Sequence, residues 1–127
     1  MVTENMIEAP AGWMGTLPEY LVYRELTRLK VEFQYQSSQM GGRQERGGSV
    51  ADFLITDLNL VLNVQSLYWH YGRPEARLAD RIQKEQLEAM GLTVIYLDED
   101  DLLRNARWYV EQALMGNDFS QVNQGAV

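Results

Sequence analysis

Residues 50–65 constrain this chain more than any other stretch. Two apolar runs rich in β-branched residues, Val50 to Thr56 and Leu60 to Val64, are separated by Asp57-Leu58-Asn59, a short polar turn of the kind that joins antiparallel neighbours. The pattern predicts a β-hairpin. Side chains alternate faces along a strand, so Asp52 shares a face with Leu54, and Asn63 shares one with Val61 and Gln65. A carboxylate set in so apolar a strand needs a partner. Either nearby backbone amides satisfy Asp52, or it is a metal ligand with Asn63 and Gln65 presented beside it by the adjoining strand.

The elements on either side follow from periodicity and punctuation. Thr16 and Glu19 have capping-box spacing, Pro18 suits a first helical turn, and Leu17, Leu21, Val22, Leu26 and Leu29 form an apolar stripe at helical period. Val31 to Gln36 alternates apolar and polar, which predicts a strand with one wet face at or near a sheet edge. A Gly-rich loop carrying Arg43 and Arg46 leads from it into the hairpin. Beyond the hairpin, the aromatic run Leu67-Tyr68-Trp69-His70-Tyr71 precedes a helix over Arg73 to Met90, with Leu78, Ile82, Leu87 and Met90 as its buried stripe and Gly91 as its stop. Leu92 to Leu97 reads as a buried strand, parallel in the sheet because a helix precedes it. Asp98 to Asp101 then complement the dipole of a last helix running to Gly116.

Helix, three strands, helix, strand, helix describes an α/β sandwich with a mixed sheet flanked by helices. The chain divides into an irregular arm over residues 1–15, a domain over residues 16–116, and a flexible polar tail over residues 117–127. Trp13 and Met14 in the arm are positioned to dock on another surface, a second chain included.

Asp on the first strand of a hairpin, followed by Glu-x-Lys on the second, is the active-site pattern of the PD-(D/E)XK nucleases. The hairpin of Asp52 resembles it, and the run Ser66-Leu67-Tyr68-Trp69-His70 is similar to the segment around the active-site histidine of very short patch repair endonucleases. The resemblance implies a restriction-endonuclease-like αβββαβ(α) fold over roughly residues 16–116. It also implies a Mg²⁺ or Mn²⁺ site at Asp52, aided by an acid of the first helix, Glu19 or Glu25. At the Glu-x-Lys position this chain has Asn63-Val64-Gln65. In some nucleases of this superfamily the catalytic lysine has moved to the following helix, where Lys84 or Arg81 would substitute, and His70 matches the repair-enzyme histidine. Each of these residues also has an ordinary structural role open to it. Glu19 suits a cap, Glu25 an ion pair with Arg24 or Arg28, His70 a hydrogen-bonded position, and the bases of the second helix a salt-bridged surface.

Composition narrows the function classes. The 127 residues, 46% of them hydrophobic, are enough for one compact core and too few for two ordinary domains. Without cysteine, and with His70 as its single histidine, the chain has neither thiolate nor multi-imidazole metal sites, so any metal would be a hard cation on oxygen ligands. No apolar run reaches membrane-span length and no secretory signal is evident, which points to a cytoplasmic protein, or a virion protein if phage-encoded. A net charge of −7 disfavours tight sequence-independent duplex binding, yet residues 24–84 hold nine of the eleven Lys and Arg against seven acids. Arg43, Arg46, Arg77 and Arg81 are therefore the candidate nucleic-acid contacts.

Two functions of different class follow. The first is a Mg²⁺-dependent DNA endonuclease of repair or resolvase type, in which His70 or Gln65 orients water and Lys84 or Arg81 meets the developing phosphorane charge. The second is a nuclease-superfamily domain impaired in catalysis and kept for binding or assembly, such as a phage or mobile-element packaging component. Its protein contacts would run through Trp13, Trp69 and the terminal arms.

Overall fold

The computed structural model describes residues 8–36, 52–66 and 74–121; within these spans the side chains of Asp52, Pro74, Ala76, Arg77, Ala79 and Asp80 lie outside the description. Helix α1, Leu17–Arg28, starts at Thr16 with the capping box that the spacing predicts. The Thr16 hydroxyl accepts the Glu19 N–H at 3.3 Å, and the Glu19 carboxylate accepts the Thr16 N–H at 2.9 Å. Leu21, Val22 and Leu26 carry its buried face.

The chain leaves α1 through Lys30 in a left-handed conformation, φ 59°, and Val31 N–H donates back to the Leu26 carbonyl. This turn holds residues 31–33 at the helix end, so strand β1 spans Gln34–Gln36 rather than the whole alternating run from Val31. The alternation itself survives as burial: Val31, Phe33 and Tyr35 are half-buried while Glu32, Gln34 and Gln36 are exposed.

Strand β2, Asp52–Ile55, and strand β3, Leu60–Gln65, form the predicted hairpin. One turn of 3₁₀ helix, Thr56–Leu58, joins them, and Asn59 completes the reversal at φ 51°, which asparagine tolerates better than most residues. Helix α2, Pro74–Ala89, returns the chain to strand β4, Thr93–Asp98, parallel to β3, and helix α3, Glu99–Leu114, follows. The result is an α/β fold with a four-stranded mixed sheet in the order β1-β2-β3-β4 and three helices.

The two sheet faces differ. One, bearing Phe53, Ile55, Leu60, Leu62, Val64, Ile95 and Leu97, packs under α1 and α3 as the main core. The other carries a smaller cluster of Val61, Val94 and Tyr96, with Leu54, Leu87 and Leu92 against it. Here α2 departs from the predicted stripe: Leu87 packs on the sheet, whereas Leu78, Ile82 and Met90 are 54%, 45% and 73% exposed. For Leu78 the reason is helical geometry. Leu78 and Leu87 are nine residues apart, about two and a half turns, so they project from opposite sides of the helix.

Both ends of the described chain dock. Trp13 stacks on Tyr35 with ring centroids 5.1 Å apart and meets Tyr20 and Tyr23 edge-on, while its indole N–H donates to the Thr16 carbonyl. The partner of Trp13 in this structure is thus its own chain, and Met14 is left exposed. At the other end the predicted flexible tail is fixed over residues 117–121. Asp118 accepts the Tyr96 N–H at 3.0 Å, and Asp98 accepts the Gln121 N–H at 2.9 Å, so the segment runs along the outer edge of β4. Asp98 precedes α3 as its N-cap residue but makes no side-chain cap bond, because its carboxylate holds this segment instead. Among the described residues no helix is long and apolar enough to cross a membrane.

Candidate functional site

Strand register builds the site. Asp52 lies opposite Asn63, Asn63 opposite Tyr96, and Gln65 opposite Asp98. Asn63 and Gln65 are 1% and 2% exposed and alternate with Leu62 and Val64, which face the main core. The two amides therefore occupy the α2 side of the sheet. The Asn63 Oδ1 and Gln65 Nε2 atoms are buried without a hydrogen-bond partner among the described residues. An unmet buried amide costs about 1–3 kcal/mol, so evolution toward stability alone would have placed apolar side chains here.

Lys84 reaches this face from α2. Its ammonium sits 5.7 Å from the centroid of the Tyr96 ring and 4.0 Å from a Glu88 carboxylate oxygen. Asn63, Gln65 and Lys84 thus belong to one side of the sheet, with the backbone of Asp52 in register beside Asn63. Arg81, by contrast, is exposed on α2. The Asp52 and Arg77 side chains, together with Arg43, Arg46, Trp69 and His70, lie outside the described residues.

The helix glutamates are on the opposite face. Glu19 is buried between the helix start and β1: besides closing the capping box it accepts the Tyr35 hydroxyl proton at 3.1 Å. Gly15 lies against this junction, where an added Cβ would meet the Tyr35 hydroxyl, the Glu19 carboxylate and the Trp13 indole. Glu25 is held by Arg24 at 3.1 Å and by Arg28 at 2.8 Å. Both residues thus take the structural role open to them in the sequence, on the side of the sheet away from Asn63.

Two acids that the sequence assigns to the dipole of the last helix stand at the end of β4. Asp98 shares strand parity with Val94 and Tyr96, which puts it on their face of the sheet, and the parallel pairing sets it opposite Gln65. Glu99 opens α3, and its carboxyl is pushed above the usual glutamate range, first by burial and then by the nearby Asp100 and Glu19 carboxylates.

A hard divalent cation asks for several oxygen donors carrying net negative charge. Asn63 offers a neutral amide oxygen, and Glu19 and Glu25 are committed elsewhere. Among the described residues no three Asp, Glu or His side chains converge as a metal group. Asn63, Glu19 and Glu25 therefore add no free carboxylate to the implied Mg²⁺ site, and the Asp52 side chain lies outside the described residues. What the arrangement presents is a buried acceptor and a buried donor two residues apart on the α2 side of the sheet, with Lys84 over Tyr96 on the same side. No family model, no curated protein and no solved structure matches the chain.

Proposed function

We propose that the chain is a nuclease-superfamily domain with a degenerate metal site, impaired in catalysis and kept for binding or assembly, of which a packaging component of a phage or mobile element is one concrete form. The observation that carries this reading is the pair of buried neutral amides, Asn63 and Gln65, at the strand positions where the resemblance calls for a carboxylate and a lysine. Exchanging a carboxylate ligand for an amide removes a full charge beside the ion, and loss of a comparable catalytic group costs on the order of 10² to 10³ in rate.

The reading of an active Mg²⁺-dependent endonuclease draws support from one feature, the placement of Lys84 on the amide side of the sheet. Cleavage of supercoiled, branched and mismatched DNA in Mg²⁺ and in Mn²⁺ separates the two. The degenerate-site reading expects the natural protein to be inert and Asn63→Glu/Gln65→Lys to cut. Cleavage by the natural protein that Asp52→Ala abolishes would establish the active reading instead.

A further inference from the structure

Helix α3 covers the sheet with Leu102, Ala106, Val110 and Ala113, and this buried row continues past a kink at Asn105. Beside it on the solvent side runs a second row, at every fourth residue: Leu103, Arg107, Glu111 and the C-cap residue Met115. Leu103 and Met115 are 55% and 65% exposed, and Arg107 is exposed as well. Residues four apart form the ridges of the commonest class of helix–helix packing, and this ridge is about 18 Å long. In the adjoining row Trp108 is also exposed. Its N–H is capped by the Asn105 Oδ1 at 3.2 Å, and its ring lies 5.3 Å from that of Phe119.

The order along the ridge is apolar, base, acid, apolar. Reversed, it reads apolar, acid, base, apolar, so the ridge is complementary to a copy of itself running the other way. With a twofold axis at the level of Tyr109, Arg107 meets the partner's Glu111 twice and Leu103 meets the partner's Met115 twice. Trp108, one residue from that level, adds aromatic area at the centre. A parallel alignment would set like charges together instead. The ridge is also neutral in a chain of net charge −7, so two copies meet along it without the repulsion their acidic surfaces bring elsewhere. Within one copy Glu111 stands 3.7 Å from Arg107 and 3.3 Å from Arg28. Such exposed pairs contribute little, so sharing them with a partner costs little.

We propose that the outer face of α3 is where two copies of this chain dimerise, α3 packing antiparallel on α3 across a twofold axis. A dimer suits an inert domain and an active nuclease alike. DNA cleavage and oligomeric state therefore answer separate questions.

Sedimentation of the full-length chain over a range of concentrations reads the oligomeric state. The expected result is a reversible monomer–dimer equilibrium with a Kd of about 1–100 µM, in keeping with a small, partly polar interface. Arg107→Glu sets acid against acid across the axis and Glu111→Arg sets base against base, so each alone should weaken dimerisation about a hundredfold. Mixed in equal amounts, the two variants regain opposite charges across the axis and should sediment as a heterodimer. That rescue arises only between chains, because neither variant regains an opposite-charge pair at these positions within one copy. Met115→Lys, at an exposed position where a helix end tolerates a base, should weaken dimerisation about tenfold without altering either charge. A chain that stays monomeric to about 1 mM would overturn the proposal and leave this face to a partner of another kind. A dimer indifferent to all three substitutions would overturn it too, as would loss in the single charge variants that mixing does not restore.

Discussion

The two faces of the sheet are built to different standards. Under α1 and α3 the face is apolar throughout, from Phe53 and Ile55 across Leu62 and Val64 to Ile95 and Leu97. Under α2 the same strands present Asn63, Gln65 and Asp98 among a small apolar cluster, and the covering helix leaves Leu78 and Ile82 in solvent. A fold needs only the first kind of face. The second retains two amides, Asn63 and Gln65, each with a buried atom that has no partner among the described residues, which packing alone does not call for.

Substitutions can break or sharpen this contrast. The largest effect belongs to the apolar face. Phe53 is fully buried and stacks on Tyr35 with centroids 4.7 Å apart, so Phe53→Ala should cost about 3–5 kcal/mol in denaturant unfolding. A cost below about 1 kcal/mol would deny that this face holds the fold together.

Asp118→Ala strips the acceptor from the Tyr96 N–H at the β4 edge and should cost about 1.5–3 kcal/mol, with faster hydrogen exchange at that amide. Unchanged exchange would mean that residues 117–121 do not seal the edge.

Glu99 should show in the pH dependence. Its folded pKa is raised, so the folded state binds the proton more tightly than the unfolded chain, and stability falls as pH rises from the unfolded value through the folded one. Glu99→Gln should therefore be more stable than the natural protein at pH 7, and the gain should vanish below about pH 4. Thermal unfolding at both pH values measures it.

The smallest effect is on the polar face. Gln65→Met removes a buried amide whose Nε2 has no partner among the described residues, at nearly constant volume. Stability should hold or rise by up to about 1 kcal/mol. A comparable loss would show that the amide is satisfied and structural.

What could be read in the sequence was what is decided locally. The capping box of Thr16 and Glu19, the hairpin turn at residues 56–59 and the α/β element order each depend on residues close in the chain. Asn63 and Gln65 were also legible, because strand parity alone puts them on one face. Long-range packing was not. The apolar residues of α2 satisfied a count of hydrophobics, but the strand contacts decide which flank is inner, and they chose Leu87 over Leu78 and Ile82. Glu19 was a candidate metal acid until Tyr35, sixteen residues on, took its carboxylate. The polar stretch after Gly116 gave no sign of Asp118 and Asp98 bonding across to each other's backbone segments, since an edge strand exists only once the sheet has formed.

The proposed function requires that the site around Asn63 and Gln65 holds no divalent cation. Titration of isotopically labelled protein with Mn²⁺, read as paramagnetic broadening of backbone amide signals, tests it most directly. The account predicts no localised broadening at residues 52, 63–65 and 96–98 in the natural protein, and selective broadening there in Asn63→Glu/Gln65→Lys. Selective broadening in the natural protein that Asp52→Ala removes would contradict it.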